Sequence, residues 1–227
     1  MEKKYKLTDE TINLGGKKLC RIEALKDFSD VKKGDKGGFI EDEHNLSHDG
    51  NSWVYGGARV FGNARVCDNA RVCDNAWVYG EAWVFGNAMI CGGARVCGGT
   101  RVYGDAWVCG NAWVFGNARV CDNAWVYGDA RVCGDAMICG NAMVCGGAWV
   151  FGDAKIENNS DYIVFKNWWS SGRYFTWTRS NDMWKVGCFS GTGDELIKKA
   201  YKDSELSGRE YERIVKYVEE IKKDNGK

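Results

Sequence analysis

The sequence contains no proline, although 30 of its 227 residues are glycine. Because loop-rich proteins normally use both residues in turns, the turns of this chain depend on residues that tolerate a positive φ. Its 31 basic and 31 acidic residues cancel, which disfavours general nucleic-acid binding and a polybasic membrane-surface role. The charged start is followed by no long apolar run, so we expect neither a signal peptide nor a membrane span, and a cytoplasmic protein.

Histidine is scarce, and the cysteines lack the spacing of common metal ligands. The only histidines are His44 and His48, and we interpret the acidic residues around them as a solvated turn. Nine of the 11 cysteines are separated by multiples of six residues, and no Cys-x-x-Cys occurs. We therefore expect free thiols, with no metal site and no cofactor.

A six-residue repeat dominates the centre of the chain. Between Val54 and Ile156, an aliphatic residue recurs every six positions, preceded two residues earlier by a small residue, usually Ala. A fixed short period is typical of a solenoid. Six residues accommodate a short strand and a tight corner, with Ala and Val facing inward and the Arg, Trp, Met, Tyr, Phe and Cys positions facing outward. Three units per coil predict a three-sided prism of about six coils.

The repeat resembles that of the hexapeptide-repeat, left-handed parallel β-helix family. Residues 24–41 and 45–55 resemble the N-terminal cap of uncharacterised bacterial and phage members of that family with an acyltransferase-like label. The resemblance, and not the period, implies the left hand. It also implies that residues 1–50 form an N-terminal β cap and first coil. In acyltransferases of this family, a histidine in a coil or loop serves as general base. Here both histidines precede the regular coils, and no long inserted loop walls a cofactor cleft.

The chain is predicted to have three parts. Residues 1–50 form the cap, with two strands about the turn at Asn13, and the solenoid register begins at Ile40. Residues 51–157 form the solenoid, and residues 158–227 form a small α+β domain of three strands and two helices. Its first helix is expected to begin at Thr192 with a capping box, and its second at Ser207.

One outward face of the prism alternates arginine and tryptophan in successive coils. It consists of Arg59, Trp77, Arg95, Trp113, Arg131 and Trp149. Stacked guanidinium and indole groups form cation–π contacts of about 0.5–1 kcal/mol each when exposed. These side chains either stiffen the solenoid wall or form a surface for a planar anionic ligand or a second subunit. Because an uncovered strip of this size is unusual in a monomer, we expect a homo-oligomer, a dimer or a trimer.

The C-terminal domain contains a second candidate site. The loop after the third strand offers backbone N–H groups at a helix start, an arrangement suited to an anion. Neighbouring arginines and tryptophans could then contact a nucleotide-like ligand. The alternative is that the loop is only a capped turn and that about half of the tryptophans belong to the core. The predicted ligand-binding residues are Trp168, Trp169, Arg173, Trp177, Arg179, Trp184, Ser190, Thr192 and Gly193.

These features favour a non-enzymatic binding or scaffold protein. Its partner would be a small anionic ligand or, by analogy with phage proteins, a host defence protein that it masks. Two alternatives remain open: an acyltransferase-like enzyme, and a purely structural spacer.

Overall fold

A computed structural model describes residues 2–224. The chain divides into two compact units between Asn159 and Ser160, two residues after the predicted boundary. Within the described residues, no helix has the length and apolar character needed to cross a membrane.

The N-terminal cap is an antiparallel sheet that continues into the solenoid. Strands β1 (Tyr5–Leu14) and β2 (Lys17–Ala24) form a hairpin, as predicted. Strand β3 (Lys36–Ile40) pairs antiparallel with β2, and its residues Phe39 and Ile40 pair in parallel with the first regular coil. A single 3₁₀ turn, Glu43–Asn45, follows. The parallel register therefore starts at Ile40, where the six-residue step predicted it.

The solenoid consists of two-residue strands, one for each repeat unit. Strands β4 to β21 are, in chain order, Trp53–Val54, Arg59–Val60, Arg65–Val66, Arg71–Val72, Trp77–Val78, Trp83–Val84, Met89–Ile90, Arg95–Val96, Arg101–Val102, Trp107–Val108, Trp113–Val114, Arg119–Val120, Trp125–Val126, Arg131–Val132, Met137–Ile138, Met143–Val144, Trp149–Val150 and Lys155–Ile156.

Three parallel sheets make the three sides of the prism. Face 1 has the order β3-β5-β8-β11-β14-β17-β20, face 2 has β4-β7-β10-β13-β16-β19, and face 3 has β6-β9-β12-β15-β18-β21. Leu46 adds one further bridge to face 3, opposite Val66. The solenoid therefore makes about seven turns, slightly more than predicted.

Alanine and aliphatic side chains fill the interior of the prism. Every Ala of the repeat and every Val or Ile two residues later is fully buried. Thr100 takes one Ala position, and its buried hydroxyl donates to the carbonyl oxygen of Cys97 at 2.6 Å. Backbone N–H groups of each coil donate to carbonyls of the next, as in Arg95 N to Ala112 O at 2.9 Å. Burial and these bonds together stack the coils.

The backbone conformation at the corners of the solenoid explains why glycine or aspartate occurs there. Each corner begins with a residue at positive φ, which is Gly98 (φ 70°) in one coil and Asp74 (φ 59°) in another. A Cβ added at Gly98 would lie 2.7 Å from the carbonyl oxygen of Gly116 in the next coil, so close stacking also excludes a side chain there. Where Asp replaces Gly, its carboxylate accepts a hydrogen bond from the next coil, as in Gly92 N to Asp74 Oδ2 at 2.9 Å.

Four side chains at outward positions of the repeat are nevertheless buried. Cys97, Cys121 and Cys139 are buried; Cys97 lies between Tyr79 and Phe115 of the adjacent coils, whereas Cys121 and Cys139 lie next to each other. Trp53, in the first coil, is only 1% exposed. Rings of the N-terminal cap cover it: the centroids of Tyr5 and Phe28 lie 6.1 and 5.3 Å from its own.

The C-terminal unit is a four-stranded antiparallel sheet with two helices. The strands β22 (Tyr162–Lys166), β23 (Tyr174–Thr178), β24 (Met183–Val186) and β25 (Phe189–Gly191) pair in sequence order. The predicted third strand is divided in two by Gly187, which has a φ of 55°. Helix α1 (Gly193–Asp203) is capped by Thr192, as predicted, and α2 (Glu205–Asp224) begins two residues before the predicted Ser207.

Candidate functional site

The solenoid brings the six residues of the Arg–Trp column onto face 1. Each Arg and Trp lies in register with the next member one coil away, as in Arg95 with Trp77 and Trp113. Adjacent strands in a sheet lie about 4.8 Å apart, so the column is a regular ladder. The sequence predicted this placement from the six-residue period together with three units per coil.

Cation–π contacts link part of this ladder. The Cζ atoms of Arg59 and Arg95 lie 5.1 and 5.3 Å from the Trp77 ring centroid. Arg131 makes a similar contact with Trp149, at 5.2 Å. Trp113 instead donates its Nε1–H to Cys97 Sγ at 3.4 Å and packs against a neighbouring phenyl ring. The ladder therefore consists of separate Arg–Trp groups with rigid indole rings.

A shallow groove of about 400 Å³ crosses face 1 near its middle. Arg95, Trp113 and Arg131 line it together with the corner residues Asn111 and Asp129. The Asn111 amide donates to Asp129 at 3.2 Å and holds that carboxylate in place. The groove therefore offers positive, negative and aromatic groups side by side.

Two tryptophans of the predicted ligand site in the C-terminal unit are buried. Trp177 and Trp184 are 0% and 2% exposed, because both helices pack against the sheet around them. The indole N–H of Trp177 is bound to Asp182 at 2.8 Å. These two tryptophans belong to the hydrophobic core, so the prediction that they stack on a ligand is wrong.

The expected anion niche at the start of α1 is occupied by the protein itself. Ser190 lies in strand β25 and not in a free loop. The Thr192 N–H donates to Glu195 Oε2 at 2.8 Å, and the Glu195 N–H donates back to the Thr192 hydroxyl oxygen. The backbone N–H and the hydroxyl of Thr192, which both donate to Glu195 Oε2, lower the pKa of that carboxyl. Gly193 is packed against Val215. An external anion would have to displace the Glu195 carboxylate.

The remaining predicted ligand residues do not form one site. Arg173 and Arg179 flank opposite ends of β23, and six residues of extended chain span about 20 Å. Trp169 packs edge-on against Tyr211, with ring centroids 5.0 Å apart. Trp168 is 73% exposed. A small ligand cannot contact both arginines at once.

A groove at the first coil contains both histidines and was not predicted. Its volume is about 500 Å³, and it is lined by the cap and by residues of face 3, including Arg65 and Trp83. Asp42, His44 and Asp49 are exposed, as expected of a solvated turn, but the His48 ring stacks on Tyr5 with a centroid distance of 4.3 Å. The period locates Arg65 and Trp83, but only the packing of the cap brings them beside the histidines.

Hydrogen bonds fix the roles of the ring nitrogens in this groove. His48 Nδ1 accepts from the Lys4 backbone N–H at 3.2 Å, so its Nε2 carries the proton and faces the Glu43 carboxylate at 3.6 Å. His44 Nε2 lies 2.8 Å from the carbonyl oxygen of Gly62 and therefore donates. Its Nδ1 lies 3.1 Å from the Asp42 carboxylate. Each of these nitrogens thus already has a neighbour within the protein.

A buried lysine holds the cap to the first coil beside this groove. Lys4 is fully buried, and its ammonium donates to the Ser52 carbonyl oxygen at 2.8 Å and the Ser52 hydroxyl at 3.2 Å. Burial lowers the pKa of Lys4 to about 8, although the nearby Asp49 carboxylate raises it. The lysine thus has a structural role in the cap.

Two segments of the chain match a family model described as YdcK beta solenoid repeat. They are residues 64–80 and 118–134, and both lie within the solenoid. No curated protein matches the chain. The sequence match and the parallel sheets agree on the architecture. The chain is a repeat β-helix protein, and over these two segments it is similar to the YdcK β-solenoid repeat.

Proposed function

We propose that this protein is a non-enzymatic scaffold that self-associates through face 1. The observation that carries the proposal is the groove in which Arg95 and Arg131 lie beside Asp129 on a rigid aromatic ladder. In an interface between two identical faces, arginines of one copy meet carboxylates of the other. Because the strand register fixes the backbone of the ladder, the conformational entropy lost on association is confined to side chains such as those of Arg95 and Arg131.

The histidine geometry favours this function over acyl transfer. A general base needs a lone pair directed at the substrate proton. The Nδ1 lone pair of His48 is used by the Lys4 N–H. In His44, Nε2 donates to a backbone carbonyl, and Nδ1 faces the Asp42 carboxylate at 3.1 Å. For either histidine to act as the base, these bonds would have to rearrange.

The resemblance to phage proteins adds a more specific hypothesis about the partner. A scaffold of this kind in an infected bacterial cell could mask a host defence protein or capture a nucleotide-like ligand. The second of these is weakened by the Glu195 carboxylate that fills the helix start. Face 1 remains the surface on which we expect a protein partner or a second copy.

Sedimentation equilibrium of the full chain tests the proposal. We expect the purified protein to be a dimer or a trimer, and Arg95→Glu with Arg131→Glu to reduce it to a monomer. Arg101→Glu with Arg119→Glu is the matched control, because it makes the same charge change on face 3, where both side chains are exposed. A monomeric wild-type protein, or equal dissociation by both double variants, would contradict self-association through face 1.

A further inference from the structure

Two clusters on the solenoid each combine two thiols with a carboxylate. In the first, one ligand atom from each of Cys73, Asp74 and Cys91 lies within 4.8 Å of the others. In the second, Cys121, Asp122 and Cys139 have the same arrangement. All of these cysteines are free.

The coil geometry creates the first cluster. Cys73 and Cys91 follow the inward residues Val72 and Ile90, which are paired in the parallel sheet of face 2. The Cys73 N–H donates to the Ile90 carbonyl oxygen at 2.9 Å, so the two thiols lie one strand spacing apart on the same edge. Asp74, at positive φ, folds its carboxylate toward the next coil, and its Oδ2 lies 3.9 Å from Cys73 Sγ.

The second cluster is the same unit placed on a different face. Residues 71–74 and 119–122 both read Arg-Val-Cys-Asp, and residues 89–92 and 137–140 both read Met-Ile-Cys-Gly. The two units are 48 residues apart, which is not a whole number of coils, so the second lies on face 3. The chain thus builds one arrangement twice in different surroundings.

The spacing suits a soft metal ion. A metal–thiolate bond is about 2.3 Å long, so two sulfurs that share one ion lie about 3.8–4.6 Å apart, depending on the angle. The sulfurs of each cluster lie within 4.8 Å of each other without any change of backbone register. Thiolate and thioether ligands select soft cations such as Cu⁺.

The surroundings of the first cluster also favour a cation. The Asp74 carboxylate lies 3.9 Å from Cys73 Sγ, and a negative charge at this distance attracts a bound cation. A groove of about 310 Å³ gives access, since Cys73, Asp74 and the thioether residue Met89 line it.

We propose that each cluster binds one soft, thiophilic cation of the Cu⁺ type, held between the two cysteine sulfurs with the aspartate carboxylate beside it. Each thiol that ligates as thiolate releases its proton to the solvent. No electron transfer is involved, because the cation is already in its reduced state. This inference does not depend on the proposed self-association.

Titration of the reduced, full-length protein with Cu⁺ under anaerobic conditions tests the inference. A chromophoric Cu⁺ chelator competes for the ion, so that single thiols stay empty. We expect two Cu⁺ per chain for the wild type, one each for Cys91→Ser and Cys139→Ser, and none for the double variant. We replace Cys91 and not Cys73, because Cys109 lies next to Cys91 in the following coil. In a Cys73→Ser variant, Cys91 and Cys109 could still bind the ion together.

The chain provides a matched control at Cys67. Its neighbour Asp68 also has a positive φ and also accepts from the next coil, at 3.0 Å from Gly86 N. The next coil carries Phe85 there and not a second thiol. Cys67→Ser should therefore retain two Cu⁺ per chain. Failure of the wild type to compete with the chelator, or two bound Cu⁺ in the double variant, would overturn the inference.

Discussion

A charge placed inside the prism is the most direct test of the inward assignment of Ala and Val. Val102 is fully buried near the middle of face 3, in register with Val84 and Val120. In Val102→Asp, the carboxylate would lie among the alkyl side chains of the interior, and the inward hydroxyl of the same repeat unit, that of Thr100, already donates to the Cys97 carbonyl oxygen. Keeping the carboxyl neutral at pH 7 costs about 4 kcal/mol, since its ordinary pKa is about 3.9 and each pH unit is worth about 1.4 kcal/mol.

Other losses add to this cost. Removing a buried valine side chain forfeits about 1.5–3 kcal/mol of hydrophobic stabilisation. The buried carboxyl without a hydrogen-bond partner costs a further ~1–3 kcal/mol. The total is comparable with the whole stability of an ordinary domain, about 5–15 kcal/mol. We therefore expect Val102→Asp to unfold most of the solenoid at pH 7.

Urea unfolding followed by circular dichroism measures the effect. Arg101→Asp is the matched control, because it introduces the same residue one position earlier on the exposed side of the strand, and should change the free energy of unfolding by about 0.5 kcal/mol or less. At pH 5, Val102→Asp should regain about 2.7 kcal/mol relative to pH 7, because less work is needed to protonate the buried carboxyl. Equal stabilities for the two variants would refute the inward assignment.

Three further predictions concern the corners, the helix cap and the N-terminal cap. Gly98→Ala should lower the melting temperature more than Gly146→Ala, since both have positive φ but only the first meets the next coil. Thr192→Ala should destabilise the C-terminal unit by about 1 kcal/mol, measured by thermal unfolding, because it removes the hydroxyl of the capping box. Burial raises the pKa of Tyr5, whose hydroxyl donates to the Leu46 carbonyl oxygen at 2.7 Å. The contribution of the Tyr5 hydroxyl to stability is therefore complete below pH 10 and is lost as the pH rises further. The difference in urea-unfolding free energy between wild type and Tyr5→Phe should therefore narrow above pH 10, and a difference independent of pH would contradict this assignment.

The six-residue period was enough to predict the solenoid register. It placed Val102 inside, assigned Arg95 and Trp113 to one face, and located the first parallel pair at Ile40. These predictions succeeded because each unit has the same strand and corner, so local pattern and global position are linked. The hairpin at the start and the capping box at Thr192 were equally local signals.

Predictions that depended on contacts between distant residues were less successful. In the sequence, Trp177 and Trp184 cannot be distinguished from tryptophans exposed to a ligand, but in the structure the helices cover them. The niche at Thr192 looked open in the sequence because a capping glutamate and an external anion satisfy the same N–H groups. The groove at His48 arises only when the cap folds onto the first coil.

The sequence alone determined what repeats: the buried Ala and Val columns, the positive-φ corners and the composition of each face. The tertiary structure decided which side chains meet across coils. Cys73 and Cys91 are 18 residues apart and share no recognisable ligand motif, yet the strand spacing brings their sulfurs together beside Asp74. The physical reason is that one coil of chain separates neighbours in a solenoid, so chemistry that requires adjacent groups is set by the stacking of coils and not by adjacency along the chain.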